Sequence, residues 1–189
     1  MLSLILALAS AEVPNTPPEP LVLTDDESAQ IAKGKVPVRF TDGGTSGGVV
    51  GFVDIAASED AVWNAVMDVR ARVGEISGLK EANVTLDTPT KKGVQWVLSV
   101  FGSKVQFHID YDLDPSHRWC RYRLDTSKEN DLVDVQGAYQ IYRVGEKTRL
   151  VYRSETESGR SVPGFVKRWL ASDSLTEQLV GIKARAERR

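Results

Sequence analysis

Two alternating runs meet at Gly102-Ser103, and their pattern constrains this chain more than any other stretch. A Gly-X pair between alternating runs suits a two-residue type II′ hairpin turn. That turn sets Phe101 opposite Lys104. It then pairs Val100 with Val105, Leu98 with Phe107, Trp96 with Ile109 and Val94 with Tyr111. Strand side chains alternate with period two, so these four pairs share one side of a sheet. The other side carries Ser99–Gln106, Val97–His108 and Gln95–Asp110. One face is apolar and the other mostly polar, so a second layer must cover the apolar face.

The same reasoning extends along the chain. Asp114-Pro115-Ser116-His117 has good turn chemistry. With Leu113 opposite Arg118, it puts Tyr111–Cys120, Ile109–Tyr122 and Phe107–Leu124 on the apolar face. Asp110 then faces Arg121 as an opposite-charge pair on the polar side. Gly145-Glu146 is another Gly-X turn. It pairs Ile141–Leu150, Tyr139–Tyr152 and Gly137–Ser154 on one face, and Tyr142–Arg149, Gln140–Val151 and Ala138–Arg153 on the other, largely polar face. Ala82, Val84 and Leu86 alternate with polar residues and predict a half-buried strand.

Helical signals frame the strands. Thr24-Asp25-Asp26-Glu27 is a capping-box pattern and Gly34 a C′ glycine, which predicts a helix over 25–33. Lys35 to Phe40 is a candidate strand, and Thr41 to Gly48 a Gly-rich connection. A strand starts at Val49. Ser58 caps a helix from Glu59, with Val62, Val66 and Val69 as its apolar stripe beside Trp63. Gly74 and Gly78 leave room for one short second helix. Pro163 suits the first turn of a C-terminal helix. Val162, Val166, Trp169 and Leu170 share one side of its first part; Leu175, Leu179, Ile182 and Ala186 share a side of its second. The offset falls at Ala171-Ser172-Asp173-Ser174, followed by the capping pattern of Ser174 and Glu177, so a bend or break is expected there.

At 189 residues the chain suits one domain with its own core. A net charge of -2 argues against a nucleic-acid binder held by phosphate contacts. Cys120 is the single cysteine, which excludes an intramolecular disulfide and a multi-Cys metal site. Residues 1–11, MLSLILALASA, end in an A-x-A-like pattern. They read either as a truncated signal peptide or as the apolar N-terminus of a cytosolic protein. Residues 12–23 read as a Pro-rich linker, 24–48 as an N-terminal extension with a short helix, and 49–189 as the main folded unit. A periplasmic or secreted location is expected, with the cytoplasm as the alternative.

The order of elements, with several short motifs, resembles the helix-grip superfamily of START domains, Bet v 1-like proteins and polyketide cyclases, and within it the polyketide cyclase and coenzyme Q-binding branch. The matching pieces are Val53-Asp54-Ile55 with Ala61-Val62-Trp63 and Val66-Met67-Asp68, Gly137-Ala138-Tyr139-Gln140-Ile141, Thr148-Arg149-Leu150-Val151-Tyr152, and Ser161-Val162-Pro163 followed by Leu179-Val180-Gly181-Ile182-Lys183. One departure is plain: Arg72-Val73 stands where the family often has Trp-Pro after the first helix. The resemblance implies an α+β helix-grip fold. In it, a curved antiparallel sheet of about seven strands wraps around a long C-terminal helix, with two short helices after the first strand. It also implies an apolar ligand between sheet and helix: a lipid, quinone, sterol-like or polyketide-like molecule.

The predicted inward set holds no Asp, Glu, His, Lys or Arg, and general acid–base chemistry needs a titratable group at the reacting atom. Only tyrosine hydroxyls, Cys120 and Ser154 offer polar contact, which suits a mostly apolar ligand. The expected ligand-binding residues are Trp96, Leu98, Phe107, Ile109, Tyr111, Tyr122, Tyr139, Tyr152, Val166 and Leu170. No catalytic residue, metal ligand or cofactor is expected. His108 falls on the polar face, His117 in a turn, Asp68 near a helix end, and Asp173 at the expected bend. The basic run Lys183, Arg185, Arg188, Arg189 favours its helix's C-terminal dipole and offers a transient contact with anionic headgroups. Carriage of a hydrophobic small molecule by a monomer is the leading reading. A cyclase or dehydratase using tyrosine hydroxyls, and an interaction module with a filled core, are the alternatives.

Overall fold

Period-two patterning becomes an antiparallel sheet, and period-3.6 patterning supplies the layer that covers it. The computed structural model describes residues 16–41, 47–100, 102–157 and 173–188, with backbone alone for 41, 47, 100, 157 and 173. The strands are β1 (Val38–Thr41), β2 (Gly47–Ile55), β3 (Leu79–Asp87), β4 (Lys91–Val100), β5 (Ser103–Asp114), β6 (Trp119–Leu124), β7 (Asp134–Val144) and β8 (Lys147–Glu157). They form one eight-stranded sheet in the order β1-β2-β8-β7-β6-β5-β4-β3. β1 is the strand beyond the expected seven. The helices are α1 (Asp25–Ala32), α2 (Glu59–Met67) and α3 (Asp173–Glu187), with a 3-10 turn at Arg70–Arg72 as the short second helix after β2.

Both helix starts follow their caps. The Thr24 hydroxyl accepts from the Glu27 N–H at 3.2 Å, and Glu27 accepts in return from the Thr24 N–H at 2.8 Å. The Ser58 hydroxyl accepts from the Ala61 N–H at 3.2 Å. In α3 the expected stripe is buried: Leu175, Leu179, Ile182 and Ala186 face the inner side of the sheet. The helix seats closely at Gly51, where a Cβ would lie 2.7 Å from the tips of both Leu175 and Leu179. The first part of the C-terminal helix and its expected bend lie outside the described residues, as do the signal-like start and the first part of the linker.

Two hairpins differ from their predicted register, each by two residues. Leu98 pairs with Val105, Trp96 with Phe107 and Val94 with Ile109. The turn glycine takes the second position of its connection, with Gly102 at φ 81° and Ser103 already opposite Val100. In the next hairpin Leu113 pairs with Cys120, Tyr111 with Tyr122 and Ile109 with Leu124. There Arg118 takes the left-handed conformation, φ 50°, and Asp114 joins the strand opposite Trp119. The ion pair moves with the register: Arg121 binds Asp112 at 3.1 Å, while Asp110 faces Arg123. A slip of two leaves every side chain on its predicted face, because the strand period is two. The Gly145 hairpin has its predicted register, Ile141 opposite Leu150 and Tyr139 opposite Tyr152.

Two further expectations fail for structural reasons. Irregularities in the β3–β4 pairing, one of them between Val84 and Leu86, break the alternation of β3. Leu86 is therefore exposed, not inward. The outer face of the central strands is also less polar in its surroundings than expected. Phe52, Trp119, Ala138, Gln140 and Val151 lie on it and are all buried. The N-terminal extension crosses this face. The Pro18 carbonyl accepts from the Gln140 amide at 2.6 Å, and the Arg39 guanidinium sits 5.4 Å from the Phe52 ring centroid. Arg39 is held in turn by two bonds to the Glu27 carboxylate, 2.9 and 2.6 Å.

Candidate functional site

Between the inner sheet face and α3 lies a cavity of about 110 Å³. Its sheet wall comes from Trp96 and Leu98 of β4, Phe107, Ile109 and Tyr111 of β5, Tyr122 of β6, Tyr139 of β7, and Tyr152 of β8. These are eight of the ten residues singled out from sequence; Val166 and Leu170 lie outside the described residues. Ile76, Leu79, Leu132 and Val135 add apolar lining, and Leu175 and Gln178 of α3 close it from above. The volume is below the ~300–1,000 Å³ of sites for drug-sized ligands. As it stands the cavity fits a compact group, and a longer molecule requires the helix side to move.

Four tyrosines form the polar seam of this wall. Ring centroids lie 5.7 Å apart for Tyr111–Tyr122 and for Tyr122–Tyr139, 6.0 Å for Tyr122–Tyr152 and 4.9 Å for Tyr139–Tyr152. Such spacing suits tilted and stacked aromatic contact. Their hydroxyls are not equivalent. That of Tyr122 donates to the Arg153 carbonyl at 3.0 Å, so it is consumed by the sheet. Gly137 makes this possible, since a Cβ there would overlap both the Tyr122 hydroxyl and the Arg153 carbonyl oxygen. Burial pushes the Tyr122 and Tyr139 phenols well above their ordinary range. It does the same for Tyr111, against a smaller opposite pull from Arg72. Neutral phenols donate and accept hydrogen bonds but do not serve as bases near pH 7.

The group that strand periodicity could not show is Arg72. It belongs to the 3-10 turn after α2 and is 2% exposed, with its guanidinium in the cavity wall. One terminal nitrogen donates to the Tyr139 hydroxyl at 3.0 Å and the Gln178 side-chain oxygen at 3.2 Å; the other donates to the Val66 carbonyl at 2.7 Å. The Gln178 amide also donates to the Tyr139 hydroxyl, at 3.0 Å. The charge lies 5.6 Å from the Trp96 ring and 5.4 Å from the Tyr139 ring, within cation–π range. The expectation of a cavity wall without charge is thus corrected. The strand faces do lack charge, and the charge arrives from a turn at the place where the resemblance breaks down. Its one sequence signal was that departure, Arg72-Val73 in place of Trp-Pro.

Other singled-out residues lie away from the cavity. His108 is on the outer face, its ring 3.2 Å from the Glu129 carbonyl, and His117 pairs with Asp114 at 2.7 Å in the turn. Asp68 ends α2 and accepts from the Ala71 N–H. Cys120 is fully buried and burial pushes its thiol well up, so it holds no thiolate at neutral pH. The side chain of Asp173 and residue Arg189 are outside the described residues. Within the basic run, Arg185 is buried, bonded to the Ala65 carbonyl at 2.7 Å and paired with Glu75, and Lys183 binds the Asp54 carbonyl at 2.6 Å and Glu187 at 2.7 Å. These two cations fasten α3 to its surroundings. Among the described residues there is no cluster of three metal-ligating side chains, and no helix long and apolar enough to cross a membrane.

An open antiparallel sheet closed by a C-terminal helix is a helix-grip fold, and solved structures superpose on it. A protein from Thermus thermophilus matches at 19% identity and a TM-score of 0.64, over 74% of this chain and 96% of its own. The Zhui aromatase/cyclase from a Streptomyces species also matches at 19% identity and 0.64, over 76% of this chain and 95% of its own. A STAR-related lipid transfer protein from Xanthomonas axonopodis matches at 16% and 0.59, over 81% and 90%. No protein-family model matches the sequence, and no curated protein matches it.

Proposed function

We propose that the chain binds and carries an apolar small molecule in the cavity between the sheet and α3. The observation that carries this reading is the cavity wall itself. Aromatic and aliphatic side chains dominate it, and among the described residues no Asp, Glu or His lines it. A lipid, quinone or polyketide-like ring system fits such a wall by apolar contact, with a few hydroxyls to orient it. The structural likeness to a lipid transfer protein and to an aromatase/cyclase supports a cavity ligand of this kind. A cyclase reading has less support, because burial pushes the Tyr122 and Tyr139 phenols well above neutral pH and, among the described residues, no Asp, Glu or His lines the cavity beside them. The apolar start ending in Ala9-Ser10-Ala11 supports carriage outside the cytoplasm.

Native mass spectrometry of the gently purified full chain, with titration by the neutral probe N-phenyl-1-naphthylamine, tests the reading. A co-purifying apolar molecule, or saturable probe fluorescence that Trp96→Asp abolishes, supports it. A protein that carries nothing and takes up no probe refutes it. A soluble Trp96→Asp variant that binds like the wild type refutes the assignment of the site.

A further inference from the structure

A buried cation needs a counter-charge, and among the described residues Arg72 has none. Two other arginines with little exposure are matched: Arg185 by Glu75, and Arg149 by Asp54 at 2.7 Å. Arg72 is more deeply buried than either, and all of its bonds go to neutral oxygens. Among the described residues no carboxylate pairs with it. A guanidinium does not shed its proton in proteins, so neutralisation is no escape. Isolated buried charge is strongly unfavourable unless something in the site answers it.

The hydrogen bonds leave room for that answer. A guanidinium has five N–H donors, and three are engaged. The Nε–H has no acceptor among the described residues. The Tyr139 hydroxyl accepts from both Arg72 and Gln178, which keeps its own proton available to donate. The guanidinium fork matches planar oxyanions, and charge-assisted bonds are the strong ones. We propose that the cavity selects ligands with an apolar body and an anionic oxygen group, a carboxylate or an acidic enol or phenol, which docks on Arg72 and the Tyr139 hydroxyl. This inference rests on the cavity being a ligand site, and it adds the charge that the ligand must carry. It also gives the Arg72-Val73 departure a consequence: at that place the chain puts a buried cation into the cavity wall.

The test is a matched pair of compact aromatics, naphthalene-2-carboxylate and naphthalene-2-carboxamide, titrated into the full chain by calorimetry. Bonds to a charged partner predict a preference for the carboxylate of roughly 10- to 100-fold. In Arg72→Met the preference for the carboxylate over the amide should collapse to within about threefold. Equal binding of both compounds by the wild type overturns the anion proposal and leaves the apolar cavity standing. A preference that survives in Arg72→Met overturns the role of Arg72. If neither compound binds, the cavity reading falls and this proposal with it. Should Arg72→Met not fold, the wild type decides alone: the ¹³C-labelled carboxyl must titrate at lower pH when bound than when free, and an unchanged or higher value overturns the proposal.

Discussion

Gly137→Ala tests how tightly the sheet wall is built. A Cβ at this position would come far inside 3.0 Å of a backbone oxygen, that of Arg153, and of the Tyr122 hydroxyl and ring. The carbonyl belongs to a ladder between β7 and β8 that runs the full length of both strands, so it has little freedom to retreat. The Tyr122 ring is wedged among Tyr111, Tyr139 and Tyr152. Losing the part-buried 3.0 Å bond from Tyr122 to Arg153 leaves the Tyr122 hydroxyl unpaired, which costs about 1–3 kcal/mol. Overpacking adds about 1–3 kcal/mol. A total near 4 kcal/mol lowers the melting temperature by roughly 8–16 °C for a chain of this size. Urea unfolding followed by tryptophan fluorescence measures it, with Tyr122→Phe as the companion, expected to cost only about 1 kcal/mol. A Gly137→Ala protein within about 1 kcal/mol of wild type would refute the close approach and, with it, the claim that the Tyr122 hydroxyl is unavailable to a ligand.

Other outcomes follow from single residues. Leu179→Ala, at a fully buried position on the sheet side of α3, should cost about 2–5 kcal/mol in urea unfolding; an unaltered midpoint would contradict the packing of α3. Asp114 should titrate at about pH 2, held down first by the Ser116 hydroxyl and then by His117. A depressed folded pKa means that its contribution is present above the ordinary carboxylate range and is lost as pH falls toward 2. Carboxyl NMR checks the value, and Ser116→Ala should raise it. Cys120 should resist a thiol reagent in the native protein under mildly alkaline conditions and react at once in urea, since burial hides it and keeps it protonated; rapid labelling of folded protein would overturn that.

Most of the fold was legible because the strand period is insensitive to the commonest error. Gly102 signalled a turn but not its place within the turn, and reading it at the first position instead of the second moved each partner by two. Trp96, Leu98, Phe107 and Ile109 stayed inward regardless. An odd error would have reversed them all. The irregular pairing around Leu86 has no such protection, since it depends on strain and pairing along the edge and leaves no mark in composition. The site was half legible for a similar reason. Residues on strands inherit their direction from the period, so all four cavity tyrosines were found. Arg72 sits in a 3-10 turn, where direction is set by what the turn folds against. Nothing local announces that a charged side chain will reach Tyr139, 67 residues away in sequence. The contacts of the N-terminal extension with Phe52 and Gln140 were hidden likewise, because that segment acts through contacts distant in the chain.

The place of β1 beside β2 has a practical consequence. Trimming the chain to Val49, where the family-like portion begins, would remove Val38–Thr41, the strand that pairs with β2, and bare β2 as the sheet's outermost strand. Phe52 would lose the Arg39 side chain over its ring at the same stroke. An apolar, unpaired strand is a template for other chains. Such a shortened protein would therefore tend to assemble edge to edge, whereas a form that keeps the extension from Pro18 onward retains both the β1 pairing and the bond to Gln140.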